Sequence, residues 1–341
     1  MSDAPLAYYA PASRIRRRPV WVPTRQQVPF LATAVVCAVL YALAGYFYPV
    51  FFSPRVVVNL LNDNAHLGIV AVGLTFVMLS GGIDLSVGSV VGCTGIALGV
   101  LITRHDVHPL LAIAIVLAGG VLLGTAMGSL IHFFDLPAFL VTLAGLFFCR
   151  GLALVISRES IQISHPFYDT LAGLTIPLTG RVVLPFPAIV FLLVLVVGIY
   201  VALFTRFGRN TYAIGGSESS ALLMGLPVGR TKIGMYALSG FCAALGGAVF
   251  TIYKGSGNAL DGTGMELDAI AAVVVGGTLL VGGIGQIAGT LLGVLIFAII
   301  GLGIMFDGRL TTWWTRIALG LLLLAFILLQ KLLQFGKGAE D

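Results

Sequence analysis

About ten stretches of this chain are nearly uninterrupted apolar runs at or close to the length of a bilayer-crossing helix. They cover 28–50, 64–80, 86–103, 109–133, 138–156, 187–205, 233–254, 266–281, 287–306 and 312–333. A crossing takes about 20 apolar residues, so 64–80, 86–103 and 266–281 are short enough to be broken or re-entrant. Only 10% of the 341 residues are charged, whereas a soluble domain carries about a quarter. Such a chain has too few polar residues to cover itself in water. The expectation is an all-α integral membrane protein with some short or broken helices.

Charge sets the expected orientation, because short cytoplasmic loops are enriched in Lys and Arg. With the amino terminus inside and ten crossings, eleven basic residues fall on the cytoplasmic side (Arg14, Arg16, Arg17, Arg18, Arg25, Arg206, Arg209, Arg230, Lys232, Lys331, Lys337). Six fall outside: Arg55, Arg104, Arg158, Arg181, Lys254 and Arg309. Both termini are therefore expected in the cytoplasm. The net charge of +5 follows this topology and does not point to nucleic acid. Residues 1–27, with Pro5, Pro11, Pro19 and Pro23, read as a disordered segment, and 334–341 as a cytoplasmic tail. Trp313 and Trp314 fit an interfacial belt. Cys37, Cys93, Cys149 and Cys242 lie in apolar stretches without ligand spacing, and the five histidines are scattered, so no metal is expected.

Inside the apolar pattern sits "SGGIDLSVGS", Ser80 to Ser89, which brings a carboxylate and three serines into greasy surroundings. One reading makes Asp84 a helix cap, its carboxylate accepting free amide hydrogens at a positive helix end. The other makes Thr75, Ser80, Asp84 and Ser86 a polar station on a translocation path for a hydroxyl-rich solute, since intramembrane carboxylates are costly and mark function. Both can hold. Glu266 and Asp268 read as dipole partners in a first helical turn. Arg150, within an apolar run, requires a carboxylate or carbonyl partner.

The stretch has an echo: "GGIDLSVGSVVG" (81–92) aligns without gaps on "GGIGQIAGTLLG" (282–293). Gly81, Gly82, Gly88 and Gly92 thus correspond to Gly282, Gly283, Gly289 and Gly293, candidate hinge and packing positions. Internal repeats are a common transporter device, with the route where the halves meet. The helix count gives both copies the same orientation, and an inverted relation would need one segment more or fewer. Small residues spaced by four, as in Gly120, Gly124 and Gly128, predict close helix packing. The G-x-G-x-x-A string Gly283–Ala288 lacks the strand a dinucleotide site needs. Neither it nor "GLPVGRTK" is a Walker A motif, so the chain is not expected to hydrolyse ATP or to be an enzyme.

Two polar loops remain. In the cytoplasmic 206–232, Ser217 suits an N-cap and Glu218 a first turn. Ala221, Leu222 and Met224 supply an apolar face, and Gly225 and Pro227 stop the helix. A helix of about two turns needs something to dock on, which points to a partner rather than to lipid headgroups alone. The second loop, 157–186, faces outward.

These motifs are similar to a known family. "SGGIDLSVGS", "AIGGSESSALLMGL" and "ELDAIAAVVVGGTLLVGG" together resemble the permease subunits of bacterial ribose-type sugar ABC importers, over about residues 28 to 333. Within it, 63–89, 159–174 and 205–216 look most like a permease of the galactofuranose importer. The resemblance implies an ABC importer permease fold over 28–333 in the bacterial inner membrane. It implies a second, paralogous permease, a tandem ATPase subunit that binds ATP and Mg, and a periplasmic sugar-binding protein. Ser217, Glu218, Ala221, Leu222, Met224 and Gly225 would couple to the ATPase. His165, Phe167, Tyr168 and Asp169 would meet the binding protein. The chain itself would carry no cofactor. The competing expectation is an ion-coupled sugar transporter, for which Asp84 is the sole candidate coupling site.

Overall fold

The computed structural model describes residues 27–180, 182–308 and 312–335. The disorder expected over 1–27, apart from Gln27, and the tail beyond Phe335 lie outside these residues. Helix α1 (Gln27–Phe47) leads through a 3-10 turn (Pro49–Phe52) into α2 (Pro54–Asp63) and α3 (Ala65–Leu79), the last two bent by 61°. Then come α4 (Val87–Thr103), α5 (Pro109–Phe133) and α6 (Ala138–Ile156). Strand β1 (Ile161–Gln162), α7 (Pro166–Gly173) and the antiparallel hairpin β2 (Thr175–Thr179) and β3 (Val182–Pro185) fill the next loop. After α8 (Phe186–Phe204) the short α9 (Arg206–Gly216) and α10 (Glu218–Leu223) precede the long α11 (Val228–Lys254). Strand β4 (Ser256–Gly257), α12 (Met265–Val275), α13 (Ile287–Asp307) and α14 (Thr312–Phe335) complete the order.

Each of the ten apolar stretches is helical. Among the described residues, α1, α5, α6, α8, α11 and α13 are long and apolar enough to cross a membrane, and the bent α2–α3 pair makes up to seven. Helix α4 and Trp313–Leu328 of α14 are shorter apolar helices. Two boundaries differ from expectation. The stretch 233–254 begins at Val228, and 266–281 is helical only to Val275 because Gly276 and Gly277 break it. Three helices, α2, α7 and α9, were not anticipated. All three mix polar and apolar residues, so an apolar run does not reveal them. Each is started by a side chain: Ser53 accepts from Arg55 N–H (3.3 Å) before Pro54, His165 from Phe167 N–H (3.1 Å) before Pro166, and Thr205 from Gly208 N–H (3.2 Å).

Helix α11 is the centre of the bundle, packed against α3, α4 and α5. Glycines permit the approach. A methyl on Gly124 of α5 would overlap the Tyr236 carbonyl of α11, and one on Gly120 would lie 2.5 Å from the Gly240 carbonyl. Backbones this close gain dispersion contact where lipid supplies no hydrophobic drive.

The two ends of the bundle are distinct. At one, β1 pairs with β4 (Ile161 opposite Gly257), Thr103 at the end of α4 donates to Gln162 O (3.2 Å), and Tyr253 of α11 donates to Asp63 (3.2 Å) just before α3. Helices α9 and α10 lie at the other. Thr33, near the start of α1, donates to Val275 O (2.6 Å) at the end of α12, while Tyr48 beyond the end of α1 donates to Asp307 (3.3 Å) at the end of α13. Thus α3 and α12 run toward the α9–α10 end, and α4 and α13 run away from it. The two copies of the repeat have the same orientation.

Candidate functional site

The first break starts where α3 ends. Ser80 folds its hydroxyl onto Val77 O (2.7 Å), and Gly81 takes the left-handed conformation (φ 83°). That turn sends Ile83–Ser86 back into the bundle. Asp84 is fully buried there. Its Oδ1 accepts the Ser86 amide (2.9 Å) and hydroxyl (2.6 Å), and its Oδ2 accepts the Ser239 hydroxyl of α11 (2.7 Å). Charge-assisted hydrogen bonds of this kind are what make a buried carboxylate tolerable. The carboxylate therefore organises the start of α4 and ties the break to α11. Nothing in the sequence distinguishes Ser239 from other hydroxyls in its helix.

Thr75 and Ser80 do not join this cluster. Thr75 is buried; it donates to Ala71 O (2.6 Å) and meets the Thr290 hydroxyl of α13 (2.8 Å), so it links one copy of the repeat to the other. Of the four polar residues grouped by the sequence, the fold brings together Asp84 and Ser86.

The second break, 276–286, is glycine-driven: Gly277, Gly282 and Gly283 all have positive φ (94°, 86° and 77°). Gly285 stands at the place of Asp84. A Cβ there would lie 2.5 Å from the Thr278 hydroxyl, which occupies the room a side chain would need. The Gly285 carbonyl accepts the Tyr212 hydroxyl of α9 (2.9 Å). The two breaks touch directly, with Gly283 N–H donating to Leu79 O (2.8 Å). A methyl on Gly81 would lie 3.0 Å from Val281 O, and one on Gly215 of α9 would overlap both the Leu79 carbonyl and the Gly283 amide. Three backbones meet at one glycine seam.

The remaining hinge glycines are packing sites. On α4, Gly88 faces the Gly262 carbonyl and the Glu266 carboxylate, and Gly92 faces the Ala259 and Asp261 carbonyls. On α13, Gly289 and Gly293 face the Gly276 and Ala272 carbonyls. Segment 257–264 thus runs along the glycine stripe of α4. Arg150 of α6 holds it by donating to the carbonyls of Ala259 (2.5 Å) and Asp261 (2.9 Å). Its partners are carbonyls of a loop distant in sequence, which the sequence could not name. Asp261 takes Lys254 (2.8 Å) and the Asn258 amide (3.1 Å), and Glu266 and Asp268 lie in the first turn of α12.

At the α9–α10 end, Ser217 caps α10 by accepting Ser220 N–H (3.3 Å), and Glu218 pairs with Lys232 (2.6 Å). Ala221 turns inward onto Ile214, Leu226 and Val228. Leu222, Leu223 and Met224 stand out, 56%, 90% and 68% exposed, before Gly225 (φ 75°) ends the turn. Leu223, the most exposed of the three, is absent from the sequence-derived set. In the loop 157–186 His165 caps α7 through Nδ1 and the Phe167 amide (3.1 Å), Phe167 is half-buried and Asp169 is exposed. Tyr168 does not share that surface: it is buried, its hydroxyl 3.3 Å from Thr251 of α11. Among the described residues no cluster of His, Cys, Asp or Glu could hold a metal ion.

Residues 56–327 match the family described as branched-chain amino acid transport system / permease component. The chain is 50% identical to the inner membrane ABC transporter permease protein YjfF of Escherichia coli (strain K12), over 90% of this chain and 93% of that protein. It is 38% identical to the ribose import permease protein RbsC of Bacillus subtilis (89% and 92% covered) and 36% to the fructose import permease protein FruG of Bifidobacterium longum (90% and 92%). No solved structure matches. The chain belongs to this family of ABC transporter permeases and is a multi-pass membrane protein.

Proposed function

We propose that this permease passes a monosaccharide, galactofuranose, inward across the inner membrane, driven by ATP hydrolysis on separate subunits. The observation that carries the sugar class is likeness along nearly the whole chain to permeases named for ribose, fructose and xylose import, at 31–38% identity. Galactofuranose rests on the resemblance of 63–89, 159–174 and 205–216. In this reading both termini and the α9–α10 end face the cytoplasm, where the basic residues concentrate. The exposed Leu222–Met224 surface of α10 docks on a tandem ATPase that binds ATP and Mg. A paralogous permease completes the pathway, and a periplasmic receptor delivers sugar near His165, Phe167 and Asp169.

Asp84 also bears on the ion-coupled alternative. Both of its carboxylate oxygens accept hydrogen bonds from Ser86 and Ser239, so an ion at this site would have to compete with three donors. The test is uptake by the reconstituted complex in vesicles, using labelled galactofuranose against galactopyranose, ribose, fructose and xylose. ATP-dependent uptake with preference for galactofuranose is expected. ATP-driven uptake of another sugar in its place would overturn the cargo, and uptake driven by an ion gradient without ATP would overturn the mechanism.

A further inference from the structure

The two breaks differ in what holds them. The first is fastened to the core helix α11 by Asp84 and Ser239 (2.7 Å). The second has glycine where that carboxylate would be, and its Gly285 carbonyl is held by Tyr212 of α9 (2.9 Å). Helix α9 is joined to α10 through Ser217 alone, an extended residue with one backbone hydrogen bond on either side. Ser217 N–H donates to Ala213 O (3.1 Å), and Ala221 N–H donates to Ser217 O (3.0 Å). Ile214 of α9 and Ala221 of α10 share one small apolar cluster with Val228. A push on α10 is therefore a push on the carboxyl end of α9, where Tyr212 and Gly215 sit. Gly215 lies where Leu79 O and Gly283 N–H meet, so close that it has no room for a methyl group.

We infer that α9 is the lever that carries displacement of α10 into the seam between the repeats, with Tyr212 and Gly215 as its positioning residues. Tyr212 grips the second break, and Gly215 keeps α9 flush with both. Because the first break is also anchored on α11, the lever opens the seam by drawing the second break away from it. The inference rests on the proposal that α10 docks the ATPase.

The test uses the full complex of both permeases, ATPase and receptor in vesicles, with galactofuranose as probe, and reads sugar transported per ATP hydrolysed. Tyr212→Phe removes a single hydroxyl, and a fold-change of roughly five in that ratio is expected, the equivalent of one net hydrogen bond of about 1 kcal/mol. Gly215→Ala is expected to lower the ratio further while ATP hydrolysis continues. A Tyr212→Phe complex that assembles normally with an unchanged ratio overturns the inference. One that fails to assemble also overturns it, since the bond would then serve folding and not relay. Leu223→Asp separates the underlying reading: if it leaves ATPase binding and coupled uptake intact, docking at α10 is refuted. If it abolishes binding while Tyr212→Phe behaves as the unaltered chain, the lever alone is refuted.

Discussion

Removing Ser239 should expose how much of the fold hangs on the buried carboxylate. Three hydrogen bonds reach Asp84: two from Ser86 and one from Ser239 across 2.7 Å. A hydrogen bond to a charged group contributes about 1.5–3 kcal/mol, and an orphaned buried donor costs about 1–3 kcal/mol. Ser239→Ala removes one such bond and leaves the carboxylate its other two, so a loss of about 2 kcal/mol is expected. Asp84→Ala removes all three and strands two hydroxyls and an amide. Relief from burying a charge offsets part of this, leaving a net loss of about 3 kcal/mol. Once Asp84 is alanine, Ser239→Ala has no charged partner to forfeit and should cost under about 0.5 kcal/mol, so the two changes should interact by about 2 kcal/mol. Equilibrium unfolding of the purified chain in mixed micelles, followed by helical circular dichroism, measures all four corners of the cycle. Effects that add to within about 0.5 kcal/mol would refute the tie. Asp84→Asn supplies an internal check. Its amide oxygen keeps the Ser86 bonds while its NH2 turns the Ser239 hydroxyl from donor to acceptor, for a cost of about 1 kcal/mol.

Gly92→Leu would drive a side chain into the Ala259 and Asp261 carbonyls, which are backbone and cannot turn aside. A loss of more than about 3 kcal/mol is expected, read as collapse of the monodisperse peak in detergent, whereas Gly119→Ala, which meets nothing, should be silent. Arg150→Leu strands two carbonyls that the guanidinium now holds at 2.5 and 2.9 Å, so a cysteine placed at Leu260 should react with a membrane-impermeant thiol reagent several-fold faster in that background. An unchanged rate would show that Arg150 does not fasten the loop. Asp169→Lys, on an exposed residue of α7, should weaken stimulation of ATP hydrolysis by the receptor. Tyr168→Phe, altering a buried one, should leave stimulation intact and lower stability by about 1 kcal/mol.

The membrane-spanning character of this protein, its ten apolar helices and their approximate ends were legible in the sequence, because hydrophobic length is a local property. Ser217 and Gly225 as the limits of α10 were equally legible, since they depend on residues near one another in the chain, whereas the relative orientation of the two repeat copies stayed open until the helices were placed. The short helices α2, α7 and α9 escaped because a short helix of mixed polarity has no apolar run to announce it. Only the tertiary structure decided which hydroxyl answers Asp84, which carbonyls answer Arg150, and that Thr75 faces Thr290 and not the carboxylate. Those pairings join residues from 109 to 215 positions apart, and local pattern carries no record of such distances. The unequal fastening of the two breaks belongs to the same class: glycine at 285 was visible in the sequence, but Tyr212 reaching its carbonyl required α9 to be folded against it.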